Sequence, residues 1–306
     1  MTLKQLEAFF WTATCASFSV AAERLYLSAS SLSKRVVELE QSLGCTLFDR
    51  QRHRVTLTEA GERLLPRARE LLRLAQETRN LMGGEPALQG RCRFGVGDLS
   101  ALTWLPRLVA RARERHPALL LEPHVEIGER LERGVDSGEL DFAVIAGLSS
   151  RSSIASQQVA QVHYEWTVAP RLAPEPARVE PELLRRVPLI CLPQGSGLSL
   201  VLDGWMQGRD VAPQRLECND WGAIVGLVVE GVGIGLMPRQ WAYSLAAQGR
   251  VAVLQGDAPL QPLIYSCQYR RDDTRPLVRG MLEIVRESVD FSTMGYLSDI
   301  RRPDAA

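Results

Sequence analysis

The chain has 306 residues, 45% of them apolar, and 36 Lys and Arg balance 36 Asp and Glu. That length exceeds what one small core organises and predicts two or three compact units of an ordinary soluble globular protein. A formal net charge of zero excludes bulk basicity as a source of nucleic-acid affinity, so any such surface has to come from local clustering.

Clustering is present at the amino end. Within residues 1–58, Lys4, Arg24, Lys34, Arg35, Arg50, Arg52 and Arg54 outnumber Glu7, Glu23, Glu38, Glu40 and Asp49, and the remainder of the chain is correspondingly acidic. The cysteines at 15, 45, 92, 191, 218 and 267 form neither a CxxC pair nor an even ladder, which predicts free thiols in a reducing compartment and no zinc site. The opening MTLKQLEAFF carries Lys4 and Glu7 and lacks the apolar core of a signal peptide. The most apolar run, AIVGLVVEGVGIGLMP, is broken by Glu230 and glycines and is too short to span a bilayer. A cytoplasmic location, no membrane partner, no metal and no cofactor are expected.

In chain order, Thr2 with Gln5 makes a capping box, and Leu3, Leu6, Phe9, Phe10 and Ala13 recur at helical spacing. Ser17 or Ser19 caps a short second helix through Ala21, Ala22 and Leu25, and Leu27-Ser28 turns the chain into a third. There Leu32, Val36, Leu39 and Leu43 form the inward stripe, Gly44 is the stop, and Ala29, Ser30, Ser33, Lys34 and Val37 face the other way. Two short helices joined by a tight turn, the second starting with small polar residues, match a helix-turn-helix. In that motif the leading turn of the second helix meets base edges in the major groove. Hydroxyls and backbone N–H groups at a helix start also suit phosphate oxygens. Leu47 and Phe48, then a basic tip from Arg50 to Arg54, then Val55 and Leu57 read as a wing, with Arg50, Arg52 and Arg54 placed to grip the flanking backbone. A serine-rich helix start alone is as readily a cap, and RQRHR alone a solvated turn.

The stretch LKQLEAFF…SFSVAAERLYLSASSLSKRVVELEQSLGCTLFDRQRHRVTLTEAGERLL closely resembles the DNA-binding domain of LysR-type transcriptional regulators. AAERL, S..LS, LE..LG, LF.R and LT.AG all occur with the family's spacing. The resemblance implies that Ser28, Ala29, Ser30, Ser33, Lys34 and Arg35 face DNA together with the three wing arginines. It departs at Ala29, where the family commonly has glutamine, at Ser31, and at Val37 and Glu38. Glutamine reads adenine through paired hydrogen bonds and alanine cannot, so base readout is expected to differ from the family's usual scheme.

Thr58 can cap a long helix, TEAGERLLPRARELLRLAQETRNLM, which Pro66 should bend. Leu64, Ala68, Leu71, Ala75, Thr78 and Met82 step by alternating fours and threes, an a/d seam that needs a partner. The seam serves either its own domain or a second copy. The resemblance implies the second, a dimerisation helix, with MGGEPALQG as the hinge.

From Arg91 strand and helix signals alternate. CRFGVG, LLLEPHV, LDFAVIAG, EWTVAP, PLICLP, RLECN and PLIYSCQYR read as strands, and LTWLPRLVARARERHP, ERLERGVDSG, LSLVLDGWMQG and PLVRGMLEIVRESV as helices. This patterning predicts parallel sheets with helices on their faces, in two lobes whose chain crossings fall near 163 and 266. Ligands in such folds lie beyond the carboxyl ends of the strands. The region is similar to the periplasmic-binding-protein-like effector domain of the same family. By position, the resemblance implies a small-molecule effector site at Gly97, Asp98, Leu99, Ser100, Ala146, Gly147, Ser196, Gly197, Asn219, Asp220 and Trp221. Where family members take carboxylated effectors, hydroxyls and helix-start N–H groups commonly hold the anion. Here Asp98 should cap its own helix and Asp220 another, so the effector is expected to be neutral, amine-bearing or aromatic, near Trp104, Trp221 or Ser196.

No enzyme is expected. Ser196 lies in GSG without a strand-to-helix elbow, His53, His116, His124 and His163 have no ligand spacing, and EGVGIG follows a helix rather than a strand. The domains are expected at 1–58 (winged helix-turn-helix), 59–89 (linker helix and hinge) and 90–300 (effector domain). Within the last, lobe I takes 91–162 and 267–300, and lobe II takes 163–266. Expected partners are operator DNA, a small-molecule effector, a second copy in a homodimer or homotetramer, and RNA polymerase. The rival reading is a cytoplasmic small-molecule-binding protein or transferase whose amino-terminal helices bind no DNA.

Overall fold

The structure, a computed structural model, describes residues 1–15, 17–49, 55–81, 88–273 and 275–293. The wing arginines Arg50, Arg52 and Arg54, and Met82 of the linker seam, lie outside the described residues.

The capping box forms as expected: Thr2 N–H donates to Gln5 Oε1 at 2.8 Å and Gln5 N–H to Thr2 Oγ1 at 3.3 Å. It starts helix α1 (Leu3–Cys15), which buries Leu6, Phe9, Phe10 and Trp11. Ser17, not Ser19, caps α2 (Phe18–Arg24). Ser28 caps α3 (Ala29–Leu43), accepting from the Ser31 N–H at 3.1 Å, and Gly44 ends it in the left-handed conformation. Leu32, Val36 and Leu39 are at most 2% exposed, each contributing about 1.5–3 kcal/mol through burial. Leu43, read as part of that stripe, is exposed, because the helix ends there and its last turn passes the edge of the core. Strands β1 (Phe48–Asp49) and β2 (Thr56–Leu57) pair antiparallel as the base of the wing, tied to α3 by Glu40 Oε1, which accepts from the Leu47 N–H at 2.7 Å.

Thr58 caps α4 (Glu59–Leu81), accepting from the Gly61 N–H, and the helix runs on through Pro66. The seam divides. Leu64 and Ala68 pack into the amino-terminal core with Leu65 and Leu72, so the first half serves its own domain, whereas Leu71 and Thr78 are exposed and Ala75 is half-buried.

The remaining chain makes two five-stranded sheets. In chain order the elements are β3 (Gly90–Val96), α5 (Asp98–Thr103), α6 (Leu105–Arg115), β4 (Leu119–Val125), α7 (Gly128–Ser137), β5 (Phe142–Ala146) and β6 (Ile154–Val162). Then follow β7 (Tyr164–Val168), α8 (Pro181–Arg186), β8 (Leu189–Cys191), α9 (Gly197–Met206), β9 (Arg215–Glu217), α10 (Trp221–Val229), β10 (Ile234–Pro238) and α11 (Arg239–Ala247). The last are β11 (Ala252–Leu254), β12 (Leu263–Arg270) and α12 (Pro276–Ser288). Lobe I holds the order β4-β3-β5-β12-β6 and lobe II the order β11-β7-β10-β8-β9. The sheets are mixed rather than parallel. β12 runs against β5 and β6, and β7 against β10 and β11, because each reaches its sheet from the other lobe and starts at the cleft, where the parallel strands end. The first crossing is at His163; the second lies between Leu254 and Leu263, so residues 263–266 belong to the lobe I sheet and not to lobe II. Phe94, Phe142 and Val144 face the main core, while Ala143 and Ile145 alternate onto the opposite face beneath Leu131 and Val135 of α7.

The helix-turn-helix rests on lobe I of its own chain. Arg24, at the end of α2, donates to the Gly138 carbonyl at 2.8 Å and to Asp273 Oδ2 at 2.6 Å, and its guanidinium lies 4.2 Å from the centroid of the Trp11 ring. Arg275 completes the cluster, 2.5 Å from Asp141 and 2.6 Å from Asp273. Gly138, at φ +82°, is required here: a Cβ would come within 2.7 Å of Cys15 Sγ. Tyr26, in the turn before α3, donates its hydroxyl to the Arg91 carbonyl. Burial alone would raise the Asp273 carboxyl, but the Arg275 and Arg24 guanidiniums outweigh it and hold the group well below the usual carboxylate range.

Removing one partner of such a cluster strands buried charge. Asp273→Ala should therefore lower stability by about 3–5 kcal/mol in urea denaturation. Because the folded carboxyl is depressed, its contribution is complete above the ordinary carboxyl value of about 4 and is lost as pH falls below it. Asp273→Asn should flatten that acid limb.

Candidate functional site

Two regions bring the sequence-predicted residues together. The first is the edge of α3. Ser28, Ala29, Ser30, Ser33 and Lys34 are exposed and Arg35 is half-buried, on the side opposite Leu32, Val36 and Leu39. Ser28 Oγ, besides capping, contacts Ser30 Oγ at 2.9 Å and donates to Ser31 Oγ at 2.8 Å, so the leading hydroxyls form one small network facing solvent. Glu38 is drawn towards α1, where Gln5 Nε2 donates to its Oε2 at 3.2 Å. That contact explains how an acidic group is accommodated on this helix.

The second is a cavity of about 440 Å³ between the lobes. The carboxyl ends of β3, β4, β5, β8 and β9 open onto it, as parallel strands require. Gly97, Asp98, Leu99, Ala146, Ser196, Gly197, Asn219, Asp220 and Trp221 line it. Ser100 and Gly147 do not. The Ser100 side chain turns into the core, fully buried and without a hydrogen-bond partner among the described residues, and Gly147 accepts the Ser266 hydroxyl behind the wall. Trp104 is also behind the wall, packed edge-on against Phe291. Sequence reasoning missed Val125 to Gly128, Arg130, Ile145, Tyr164, Leu192 and Tyr265, which line the same space. The turn after β4 was within reach of the strand-end rule, whereas Tyr164 and Tyr265 enter only because their strands begin at the cleft.

Ser196 caps α9, accepting from the Ser199 N–H at 3.2 Å, and Asp220 caps α10, accepting from the Ala223 N–H at 2.7 Å. Asp98 does not cap its own helix. Gly97 holds that position without a side-chain bond, and Asp98 Oδ2 instead accepts from the Trp221 N–H at 2.6 Å, joining lobe I to the first turn of α10 in lobe II. Burial pushes the Tyr265 phenol up to about 12, so it stays neutral. Gly197 sits where the lobes touch: a Cβ there would lie 2.1 Å from that of Ala146.

A winged helix-turn-helix, a long linker helix and a two-lobed domain with a cavity at its strand ends define a ligand-responsive DNA-binding regulator. Comparison with known proteins agrees. A family model described as "Bacterial regulatory helix-turn-helix protein, lysR family" matches residues 3–62, and one described as "LysR substrate binding domain" matches residues 86–290. The chain is 28% identical over 252 residues to the HTH-type transcriptional regulator GltR of Bacillus subtilis, covering 82% of this chain and 84% of that protein. It is 29% identical over 250 residues to a probable RuBisCO transcriptional regulator of Synechocystis, covering 76% and 70%. Among solved structures, a full-length OxyR variant from Pseudomonas aeruginosa superposes with a TM-score of 0.62 at 24% identity, covering 94% of this chain and 99% of that one. HinK, a LysR family regulator from the same organism, gives 0.52 at 25% identity over 97% and 99%. The chain belongs to the LysR-type transcriptional regulators, a family that binds DNA and small-molecule effectors and forms oligomers. Among the described residues no helix is long and apolar enough to cross a membrane.

Gly197→Ala should wedge the lobes apart at Ala146, costing about 1–3 kcal/mol and enlarging the radius of gyration in small-angle scattering. An unchanged radius and urea midpoint would show that the lobes accommodate the methyl group.

Proposed function

We propose that this chain binds operator DNA through the exposed edge of α3, Ser28 to Arg35, with Arg50, Arg52 and Arg54 gripping the flanking backbone, and that a metabolite bound between the lobes modulates transcription. The carrying observation is that one edge of α3 offers hydroxyls and Lys34 to solvent while the opposite stripe is sealed into the core. Two copies would place two such edges in successive major grooves, about 34 Å apart. The exposed Leu71, Leu74 and Thr78 of α4 are the candidate pairing surface, in a homodimer or a dimer of dimers. The ion cluster at Arg24 means that any rotation of lobe I on effector binding carries the recognition helix with it, altering DNA bending or contact with RNA polymerase. A cytoplasmic location fits a DNA-binding regulator, and the reading includes no catalytic step; the Ser196 hydroxyl serves as a helix cap.

Gel-shift titration against the DNA upstream of the chain's own coding sequence tests this. Affinity should fall steeply with added salt, and Lys34→Ala should weaken binding across sequences while reducing the salt slope by about one. Arg50→Ala should also weaken binding. Salt-independent retention, or none at all, would favour a clamshell binding protein whose amino-terminal helices serve another purpose. Leu71→Asp with Leu74→Asp should shift sedimentation towards the monomer without loss of helicity.

A further inference from the structure

We propose that Asp98 decides which class of effector the cavity accepts: its carboxylate occupies, from lobe I, the helix-start position on lobe II where an anion would sit. The cavity therefore takes a cationic small molecule, a primary ammonium or guanidinium, held between Asp98 and Asp220. This rests on reading the inter-lobe cavity as the effector site.

The first turn of α10 is the natural anion seat of lobe II, since its leading N–H groups point into the cavity. Two of them are already taken by the protein's own carboxylates, Trp221 N–H by Asp98 at 2.6 Å and Ala223 N–H by Asp220 at 2.7 Å. The start of α9 is capped by Ser196. The two other helix starts on the wall, those of α5 and α7, carry no side-chain cap, but Asp98 lies in the first turn of α5, and Glu126 just before α7 and Glu129 in its first turn flank the other, so a second anion meets a carboxylate at each. The lining guanidinium, Arg130, is paired with Glu126 at 3.3 Å. An incoming carboxylate thus finds, among the described lining residues, no helix start without a cap or a carboxylate beside it, and no unpaired cation.

For a cation the same arrangement is favourable. Each aspartate spends one oxygen on a backbone N–H, and among the described residues neither Asp98 Oδ1 nor Asp220 Oδ2 makes a hydrogen bond. The two carboxylates belong to different lobes and sense each other. Burial pushes the Asp98 carboxyl above its ordinary value, the Trp221 N–H pulls it down, and the Asp220 charge pushes it up again. A cation between them relieves that repulsion and draws both lobes onto one ligand. Tyr164, Trp221 and Tyr265 line the same space with their rings packed on neighbouring aromatics, an apolar wall for the ligand's carbon chain.

Titration calorimetry on the full-length protein, with agmatine, putrescine and L-argininamide as cations free of any carboxylate and glutarate as the anion, separates the cases. The native chain should bind at least one of the three cations and not glutarate. Asp98→Asn can keep the bond to the Trp221 N–H while removing the charge, so cation affinity should fall roughly tenfold or more with glutarate still excluded. Asp98→Ser vacates the seat, so glutarate binding should appear. Native protein that takes up glutarate, or is indifferent to all three cations up to tens of millimolar, overturns the assignment, as does an Asp98→Asn protein with unchanged cation affinity. Operator binding measured on the same preparations keeps the two readings apart: a protein that still binds DNA but fails these tests refutes the effector class alone. Circular dichroism of both variants checks that they fold.

Discussion

The amphipathic split of α3 is the constraint on which the rest depends. Leu32, Val36 and Leu39 repeat at the spacing of one helical face and are sealed against Phe9, Ala21 and Phe48. With that face committed, Ser28, Ala29, Ser30, Ser33 and Lys34 have no route into the core and stand in solvent whatever else the chain does. Glu40, on the inner side, ties the wing to the same helix through the Leu47 N–H. Helix α3 and the wing base therefore move as one unit.

That unit is anchored to the sensor through charge rather than through a large apolar contact. Arg24 at the end of α2 is buried between Trp11 and two lobe I carboxylates, and Arg275 balances them. A buried cluster of this kind adds little net stability over an apolar replacement, but breaking it is costly, so it fixes orientation more than it strengthens the fold. Tyr26 adds a second tie, from the turn between α2 and α3 to β3. The path from the cavity to the helix-turn-helix is short. β3 and β5 end at the cavity, and Asp141, immediately before β5, belongs to the Arg24 cluster.

Much of this was legible in the residues. The capping box, the Ser28 cap, the Gly44 stop and the alternation from Arg91 onward are local signals, set by neighbours within a few positions. The strand β6 was not: IASQQVAQV lacks aromatics and carries a single interior valine, and it forms because β12 offers it a long antiparallel edge. The mixed sheets were missed for a related reason, since strand direction here follows from which lobe the chain comes from. The Arg24 cluster joins residues more than two hundred positions apart, and no sequence period marks it. Asp98 shows the same limit at single-residue scale. Asp98 reads as the cap of its own helix, but Gly97 takes that place, and from one position further in the Asp98 carboxylate accepts from the first turn of the helix in the other lobe.

Photo-cross-linking from the edge of α3 tests the central claim most directly. With p-benzoylphenylalanine in place of Ser30, the full-length protein should cross-link operator DNA in two patches about one helical turn apart, and the same group in place of exposed Leu120 on β4 should not. Cross-linking from position 120 and none from position 30, on DNA the protein demonstrably binds, would place the duplex on another surface and contradict the account.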